Sequence, residues 1–295
     1  MPREPLTITA ADGRRLEAVV AGPDDGELLL VHTGTPGAAL LYEPMARAGG
    51  ERGLRHAIYS RPGYGESDRN EGRAVADCAA DAEAIADALG AERFYTLGGS
   101  GGGPHSLACA ALLSERVIGA VTIASAAPRQ AEGLDWLAGM GRENLDEFAA
   151  ADEGGAALEG FLVRIAAHLA EVDGPAVHRA LGDLVSDVDR RALTGDFADH
   201  VAGSFHKAVS TGIWGWFDDD LAFVRDWGFS LGSISVPVAI WQGGQDRFVP
   251  FAHGEWLAGH VPGARAHLLP DHGHLSIAVG AYEEVLDDML ALAPA

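Results

Sequence analysis

The chain has 295 residues, of which 47% are hydrophobic, so it can bury a large core without a metal ion or disulfides to hold it together. Its 43 acidic and 21 basic side chains give a net charge of −22, which repels nucleic acid and anionic membranes. The two cysteines show neither metal-ligand spacing nor the density of a disulfide scaffold, which is typical of a reducing compartment.

Residues 1–5 contain no apolar stretch that could act as a secretory signal. No uninterrupted apolar segment approaches the ~18 residues that a membrane-spanning helix requires. We therefore expect a cytoplasmic protein with neither nucleic acid nor a membrane as a partner. The oligomeric state stays open.

The hydrophobic pattern predicts two opening strands and then alternating strands and helices. An Asp12-Gly13 turn between the first two strands is a hairpin signal, and the later apolar runs are typical of buried parallel strands. The predicted strands cover residues 6–10, 16–21, 27–32, 56–60, 94–97, 117–124, 237–242 and 264–269. The predicted helices cover residues 41–52, 74–89, 104–113, 252–260 and 276–292. This alternation predicts an α/β fold with a mainly parallel eight-stranded sheet and helices on both faces.

Residues 129–235 interrupt the alternation, because they are mostly helical in pattern, rich in acidic residues and contain four of the six tryptophans. We interpret them as a helical cap inserted between the sixth and seventh strands of a core formed by residues 1–128 and 236–295. Trp214 and Trp216 are candidates to line an apolar pocket, or they form the core of the cap itself. The acidic run 218–220 is predicted to be solvated at a helix start, and not a metal site, because no histidine accompanies it at ligand spacing.

A glycine-rich bend around Ser100 is the most informative motif. Gly98-Gly99-Ser100-Gly101-Gly102 follows an apolar strand pattern and precedes a helical one. In this order, a strand leads into a Gly-x-Ser-x-Gly turn, and a helix follows. Only very small side chains fit at the positions two residues before and two residues after the serine. The bend lifts the serine onto the positive end of the helix. The run is not a phosphate-binding loop, because no Gly-Lys-Ser/Thr ends it, and it does not match a dinucleotide fingerprint.

Working residues of an open α/β sheet gather in the loops after the carboxyl ends of its strands. Such loops here are 33–37, 61–67, 98–102, 243–247 and 270–274. With these motifs in order, the chain resembles an α/β-hydrolase of the capped, single-domain kind, over nearly all of its length outside the cap. The resemblance implies that the loop at 61–67 is a structural turn beside the site.

The resemblance implies a catalytic triad of Ser100, Asp246 and His274, in the chain order of the family. Ser100 would attack, His274 would take its proton, and Asp246 would orient the imidazole. The loop after the sixth strand contains no carboxylate, which favours Asp246 as the acid. His272 competes with His274, but Gly-His followed by an apolar residue and a helix fits the family at His274.

The family forms its oxyanion hole from the N–H after the nucleophile, here Gly101, and an N–H of the loop after the third strand. Relatives often have His-Gly-x-Pro in that loop. This chain is one residue longer between His32 and Pro36. Counting back from Pro36 predicts Thr35 as the second donor, whereas counting forward from His32 predicts Gly34.

These residues predict a metal-independent, cofactor-free serine hydrolase that acts through an acyl-enzyme on a small carboxylic ester, thioester or lactone. An iminopeptidase-like aminopeptidase, a C–C bond hydrolase and a cofactor-free perhydrolase are alternatives with the same triad. A ligand-sensing receptor with little turnover is an alternative from another class.

Overall fold

The structure is a computed structural model that describes residues 5–292 of the chain. Its eight strands form one sheet in the order β1-β2-β4-β3-β5-β6-β7-β8. Only β2 among them runs antiparallel to its neighbours, which confirms the predicted mainly parallel sheet. The strands are β1 Leu6–Thr9, β2 Arg15–Ala21, β3 Glu27–His32, β4 Leu54–Tyr59, β5 Phe94–Gly99, β6 Val117–Ile123, β7 Val238–Gly243 and β8 Arg265–Leu269.

Helices cover both faces of the sheet, as the alternating pattern predicts. One face packs against α2, α3 and α10 through side chains such as Ile85, Leu107 and Leu257, and the other packs against α1, α11 and α12. These helices are α1 Glu43–Gly50, α2 Cys78–Ala88, α3 Gly103–Leu112, α10 Phe251–His260, α11 His274–Gly280 and α12 Tyr282–Leu290. The central strands are therefore buried on both sides, which explains the apolar runs of strands such as β5 and β6, whereas the residues of the edge strands β1 and β8 are mostly exposed or half-buried.

The last predicted helix, 276–292, is two helices in the structure. The break falls at Ala281, whose φ of −111° and ψ of 10° are not helical, directly after Gly280. Glycine in a helix interior destabilises the helix by about 1 kcal/mol relative to alanine, so the helix loses little stability by ending at Gly280. The new axis lets the Tyr282 hydroxyl lie 2.9 Å from Nε2 of the buried His56.

Six helices, α4–α9, come between β6 and β7 in the chain, and we call this segment, residues 129–235, the helical insertion. They are α4 Arg142–Glu153, α5 Gly155–Leu169, α6 Val177–Ala180, α7 Asp187–Ala192, α8 Gly195–Val209 and α9 Trp214–Val224. Their apolar sides meet in two clusters, one around Leu158, Leu162 and Trp216 and another around Val177 and Phe197. None of the helices that the structure describes is long and apolar enough to cross a membrane.

Candidate active site

The chain reverses sharply at Ser100, between the end of β5 and the start of α3. Ser100 has φ +54°, a left-handed conformation that few residues other than glycine adopt. A methyl group on Gly98 would lie 2.1 Å from the carbonyl oxygen of Gly102, and one on Gly102 would lie 2.1 Å from that of His32. The bend therefore requires glycine on both sides, and it holds the serine in a conformation that concentrates at functional sites.

His274 and Asp246 lie in hydrogen-bond contact at the same edge of the sheet. Nδ1 of His274 is 2.8 Å from Oδ2 of Asp246, and Oδ1 of Asp246 accepts the backbone N–H groups of Phe248 and Val249, each at 2.8 Å. The Phe248 ring stacks on the imidazole with its centroid 4.4 Å away. With Nδ1 donating to the carboxylate, Nε2 of His274 is the nitrogen left to take a proton.

Ser100 and His274 line one cavity of about 480 Å³. Oγ of Ser100 has no hydrogen-bond partner within residues 5–292, so its bond to Nε2 of His274 is not formed in this conformation. Catalytic hydrogen bonds are often long in a ligand-free enzyme and tighten when substrate binds. The structure thus brings His274 and Asp246 into contact and places Ser100 in the same cavity.

Burial and charge act in opposite directions on the pKa values of this pair. Burial favours the neutral form of His274, but the carboxylate of Asp246 and its hydrogen bond outweigh that effect and raise the histidine pKa above 6.5. Burial also raises the pKa of Asp246, against the opposing influence of His274. A histidine with a raised pKa is a stronger base for a serine proton.

Within the described residues, the competing His272 forms no hydrogen bond or ion pair with Asp246. Its Nδ1 is buried without a partner in that part of the chain, and its Nε2 lies near Gly280. Of the two histidines in this loop, the structure places His274 in the cavity and next to the acid.

The cavity lies between the carboxyl edge of the sheet and the helical insertion, and most of its wall is apolar. Trp216 lines it and is 4% exposed, whereas Trp214 is 37% exposed and is absent from the wall. The guanidinium of Arg69 lies 4.2 Å above the Trp214 ring, which accounts for the position of that indole at the surface. Of the two tryptophans considered from the sequence, only Trp216 therefore reaches the cavity.

Gly34 and Thr35, the two candidates for the second oxyanion donor, both belong to the loop beside Ser100. A methyl group on Gly34 would be 3.4 Å from Cβ of Ser100, and one on Gly101 would be 2.3 Å from Oγ1 of Thr35. The loop after β3 thus packs directly over the bend, and the Thr35 side chain covers Gly101.

The acidic run 218–220 is buried, so the expectation of solvated helix-start acids is wrong. Asp219 is 0% exposed, and its carboxylate accepts hydrogen bonds from Arg61, Arg73, Tyr64 and Thr35 at 2.6 to 3.3 Å. Burial would raise the pKa of Asp219, but the two guanidinium groups outweigh it and hold the pKa below its ordinary value. The run fails to be solvated because α9 carries Trp216, Leu221 and Phe223 around it and is buried on most sides.

Arg61 connects this carboxylate to the loop after β3. Besides its bonds to Asp219, it donates to the carbonyl oxygens of Thr33 and Gly34, at 2.5 and 2.9 Å, and to Oγ1 of Thr35 at 2.9 Å. Its side chain is fully buried. The loop at 61–67, expected to be a structural turn, therefore also fixes the backbone of the loop that carries both oxyanion candidates.

A second buried carboxylate of the helical insertion holds the start of α11. Asp189 of α7 accepts the N–H of His274 on one oxygen, at 3.1 Å, and those of Leu275 and Ser276 on the other, at 2.9 and 2.8 Å. The first N–H groups of a helix have no partner within it, so a carboxylate there stabilises the helix end. Asp189 thereby fixes the backbone at His274.

Sequence reasoning missed Asp189 and the role of Asp219, since neither belongs to a local motif. One signal was available for Asp219: three carboxylates set between aromatic and aliphatic residues of one helix cannot all face water. Asp189 gives no such signal in its own segment. Within residues 5–292, no group of three His, Cys, Asp or Glu side chains is arranged to hold a metal ion.

Comparison with known proteins identifies the fold family of the chain. The family model described as alpha/beta hydrolase fold matches residues 27–281. A 2-hydroxy-6-oxononadienedioate/2-hydroxy-6-oxononatrienedioate hydrolase of Cupriavidus pinatubonensis is 26% identical over 288 residues, which cover 90% of this chain and 88% of that protein.

Among solved structures, the enol-lactonase from Burkholderia xenovorans LB400 superposes with a TM-score of 0.70 at 19% identity, over 97% of this chain and all of that one. A hydrolase from Pseudomonas aeruginosa PA01 superposes with a TM-score of 0.68 at 21% identity, over 97% and 98% of the two chains. These similarities show the fold. With the family model matched over residues 27–281, the chain belongs to the alpha/beta hydrolase fold family.

Proposed function

We propose that this chain is a serine hydrolase that cleaves a small carboxylic ester, thioester or lactone through an acyl-enzyme on Ser100. The observation that carries the proposal is the common cavity of Ser100, at its left-handed bend, and His274, whose Nδ1 is held by Asp246. A cavity of about 480 Å³ matches a small-molecule substrate.

In the proposed mechanism, rotation of the Ser100 side chain brings Oγ to Nε2 of His274, which removes its proton as Oγ attacks the substrate carbonyl. Asp246 keeps the imidazole oriented and stabilises its charged form. The N–H groups of Gly101 and Thr35, with Gly34 as the other candidate, bind the oxyanion of the tetrahedral intermediate. His274 then gives its proton to the leaving group, and water releases the acyl group by the same steps.

We assign Thr35 ahead of Gly34 as the oxyanion donor because of how it is held. Its Oγ1 bonds to Asp219 and Arg61 fix the residue that packs over Gly101. A preorganised donor stabilises the oxyanion most, since it needs no rearrangement during the reaction. In the same proposal, residues 129–235 form a cap that covers the site, with Trp216 in contact with substrate.

C–C bond hydrolysis is the second candidate, because the relative from Cupriavidus pinatubonensis is similar over most of both chains. The name of its substrate describes a dicarboxylate. Here the cavity wall contains the carboxyl side chains Glu143, Asp146, Glu147 and Asp220 but only one guanidinium, that of Arg164. The wall therefore offers a dianion a single guanidinium partner, which favours an ester, thioester or lactone over a dicarboxylate.

The test is labelling by a fluorophosphonate probe, combined with turnover of a panel of esters, thioesters and lactones. We expect the probe to label Ser100 and the panel to be hydrolysed, and Ser100→Ala to lower kcat by about a millionfold. Ser210→Ala is the matched control, because Ser210 is exposed and lies outside the cavity wall. A folded wild-type protein that neither reacts with the probe nor hydrolyses any member of the panel contradicts the proposal.

A further inference from the structure

Two carboxyl groups of the helical insertion meet in the cavity wall. Glu147 of α4 and Asp220 of α9 both line the cavity. Two neighbouring carboxyl groups repel each other when both are ionised, which favours a proton on one of them. Burial, together with the neighbouring carboxyl in the case of Asp220, raises the pKa of both groups.

The pair is only partly satisfied by the protein. Oε1 of Glu147 accepts the indole N–H of Trp216 at 2.6 Å. Asp220 is 1% exposed, and its Oδ2 is buried without a hydrogen-bond partner in the part of the chain that the structure describes. Burying an oxygen without a hydrogen-bond partner is unfavourable, so a ligand that supplies a donor would recover free energy.

Within residues 5–292, no cation forms an ion pair with Glu147 or Asp220. The one guanidinium in the cavity wall belongs to Arg164, which is exposed and lies over the Phe161 ring, 5.1 Å from its centroid. Arg61 and Arg73 both pair with Asp219 instead. The two carboxyl groups therefore line the cavity without a cationic partner in the described part of the chain.

We propose that Glu147 and Asp220 form a subsite that binds a hydrogen-bond donor group of the substrate, a hydroxyl or a protonated amine, at a distance from the reacting carbonyl. This inference rests on the proposed function, because it describes the substrate of the same cavity. The subsite selects esters, thioesters or lactones that carry such a donor, and it rejects those with a carboxylate at the same position. An analogue without the donor leaves Oδ2 of Asp220 unpaired, and this accounts for the discrimination.

The first experiment compares matched esters on the wild-type chain. The series has one reporter phenol and one acyl chain length, with the far end of the acyl group methyl, hydroxyl, amino or carboxyl. A second series carries the same groups on the alcohol part. We expect the hydroxyl or amino member of one series to exceed its methyl member in kcat/KM by about tenfold to a hundredfold, and the carboxyl member to be the poorest. The separate hydroxyl and amino members show which donor the pair prefers.

The second experiment uses Glu147→Gln and Asp220→Asn. Each variant is expected to reduce the ratio of kcat/KM for the donor ester to that for the methyl ester towards one. Asp152→Asn is the matched control, since Asp152 is also on α4 but pairs with Arg129 outside the cavity, and it should keep the wild-type ratio. If a variant does not fold, competitive inhibition of the wild type by alkyl alcohols, amines and carboxylates of one length replaces it.

The outcomes separate the two proposals. Equal kcat/KM values across both series, with hydrolysis and labelling of Ser100 intact, overturn the subsite and leave the hydrolase. A donor preference that survives in both folded variants also overturns the subsite. Loss of all hydrolysis and all labelling in the folded wild type instead overturns the proposed function.

Discussion

The loops at the carboxyl edge of the sheet and the helical insertion contribute different things to the site. The loops carry Ser100, Asp246 and His274, the groups proposed to take part in the reaction. The insertion carries Asp189 and Asp219, which bind backbone N–H groups and guanidinium groups around those residues. The difference teaches that an insertion can define the geometry of a site without contributing a member of the triad.

This comparison predicts that changes in the loops remove activity, whereas changes in the insertion remove stability and positioning. After the loss expected for Ser100→Ala, the largest effect is expected for Asp246→Asn, which should lower kcat by about 10⁴-fold, because the amide stabilises the wrong tautomer of His274. Burial already raises the pKa of Asp246, so loss of its charge should cost less folding free energy than the changes in the insertion. Steady-state kinetics and urea unfolding measure the two effects, and a kcat within tenfold of the wild type contradicts the assignment.

Asp246→Asn also tests the direction in which the pH profile of kcat/KM shifts. The base must be neutral, so kcat/KM falls as the pH drops through the pKa of His274, which lies above 6.5 in the wild type. Without the Asp246 carboxylate this pKa should fall, and the acid limb of the profile should move to lower pH. A profile of the variant that is superposable on that of the wild type would count against the His274–Asp246 pair.

Asp219→Ala tests the insertion and should destabilise the protein by about 3–5 kcal/mol, because it leaves Arg61 and Arg73 buried without a counter-charge. Urea denaturation gives the free energy of unfolding. The control is Asp152→Ala, whose exposed ion pair with Arg129 should contribute at most about 1 kcal/mol. Equal destabilisation by the two variants would contradict the role of Asp219.

Asp189→Asn is expected to have a smaller effect, about 0.5–2 kcal/mol of stability, as for loss of a helix cap. The side-chain oxygen of asparagine can still accept a backbone N–H at the start of α11. Its NH₂ group, however, would face another backbone N–H, and both of these groups are donors. Because Asp189 also raises the pKa of His274, the acid limb of the kcat/KM profile should move to lower pH. An acid limb at the same pH as in the wild type would show that the carboxylate does not act on the imidazole.

The smallest effect is expected for His272→Ala, because the carboxylate of Asp246 is bonded to His274 instead and His272 is absent from the cavity wall. We expect kcat/KM to stay within a few-fold of the wild type, in line with the roughly 0.5 kcal/mol of substitutions away from special features. A loss as large as that of a triad member would restore His272 as the base.

The sheet and the three candidate catalytic residues could be predicted from the sequence because their signals are local. Gly98 and Gly102 flank Ser100 within five residues, and the other two candidates each lie in a short loop that follows a predicted strand. The contacts of the insertion have no local signal. Asp189 is 85 residues from the N–H of His274 that it binds, and Asp219 is 184 residues from the Thr35 hydroxyl. Only the packed tertiary structure brings such groups together.

The buried ion pairs of Asp219 restrict how this architecture can be recombined. An enzyme engineer who replaced residues 129–235 with the corresponding segment of another protein would keep Arg61 and Arg73 in the recipient scaffold and delete their common anion. Such a chimera would need a carboxylate at the equivalent place on its new helix, or apolar replacements for both arginines. The helical insertion and the rest of the chain are therefore compatible only when the buried charges on both sides match.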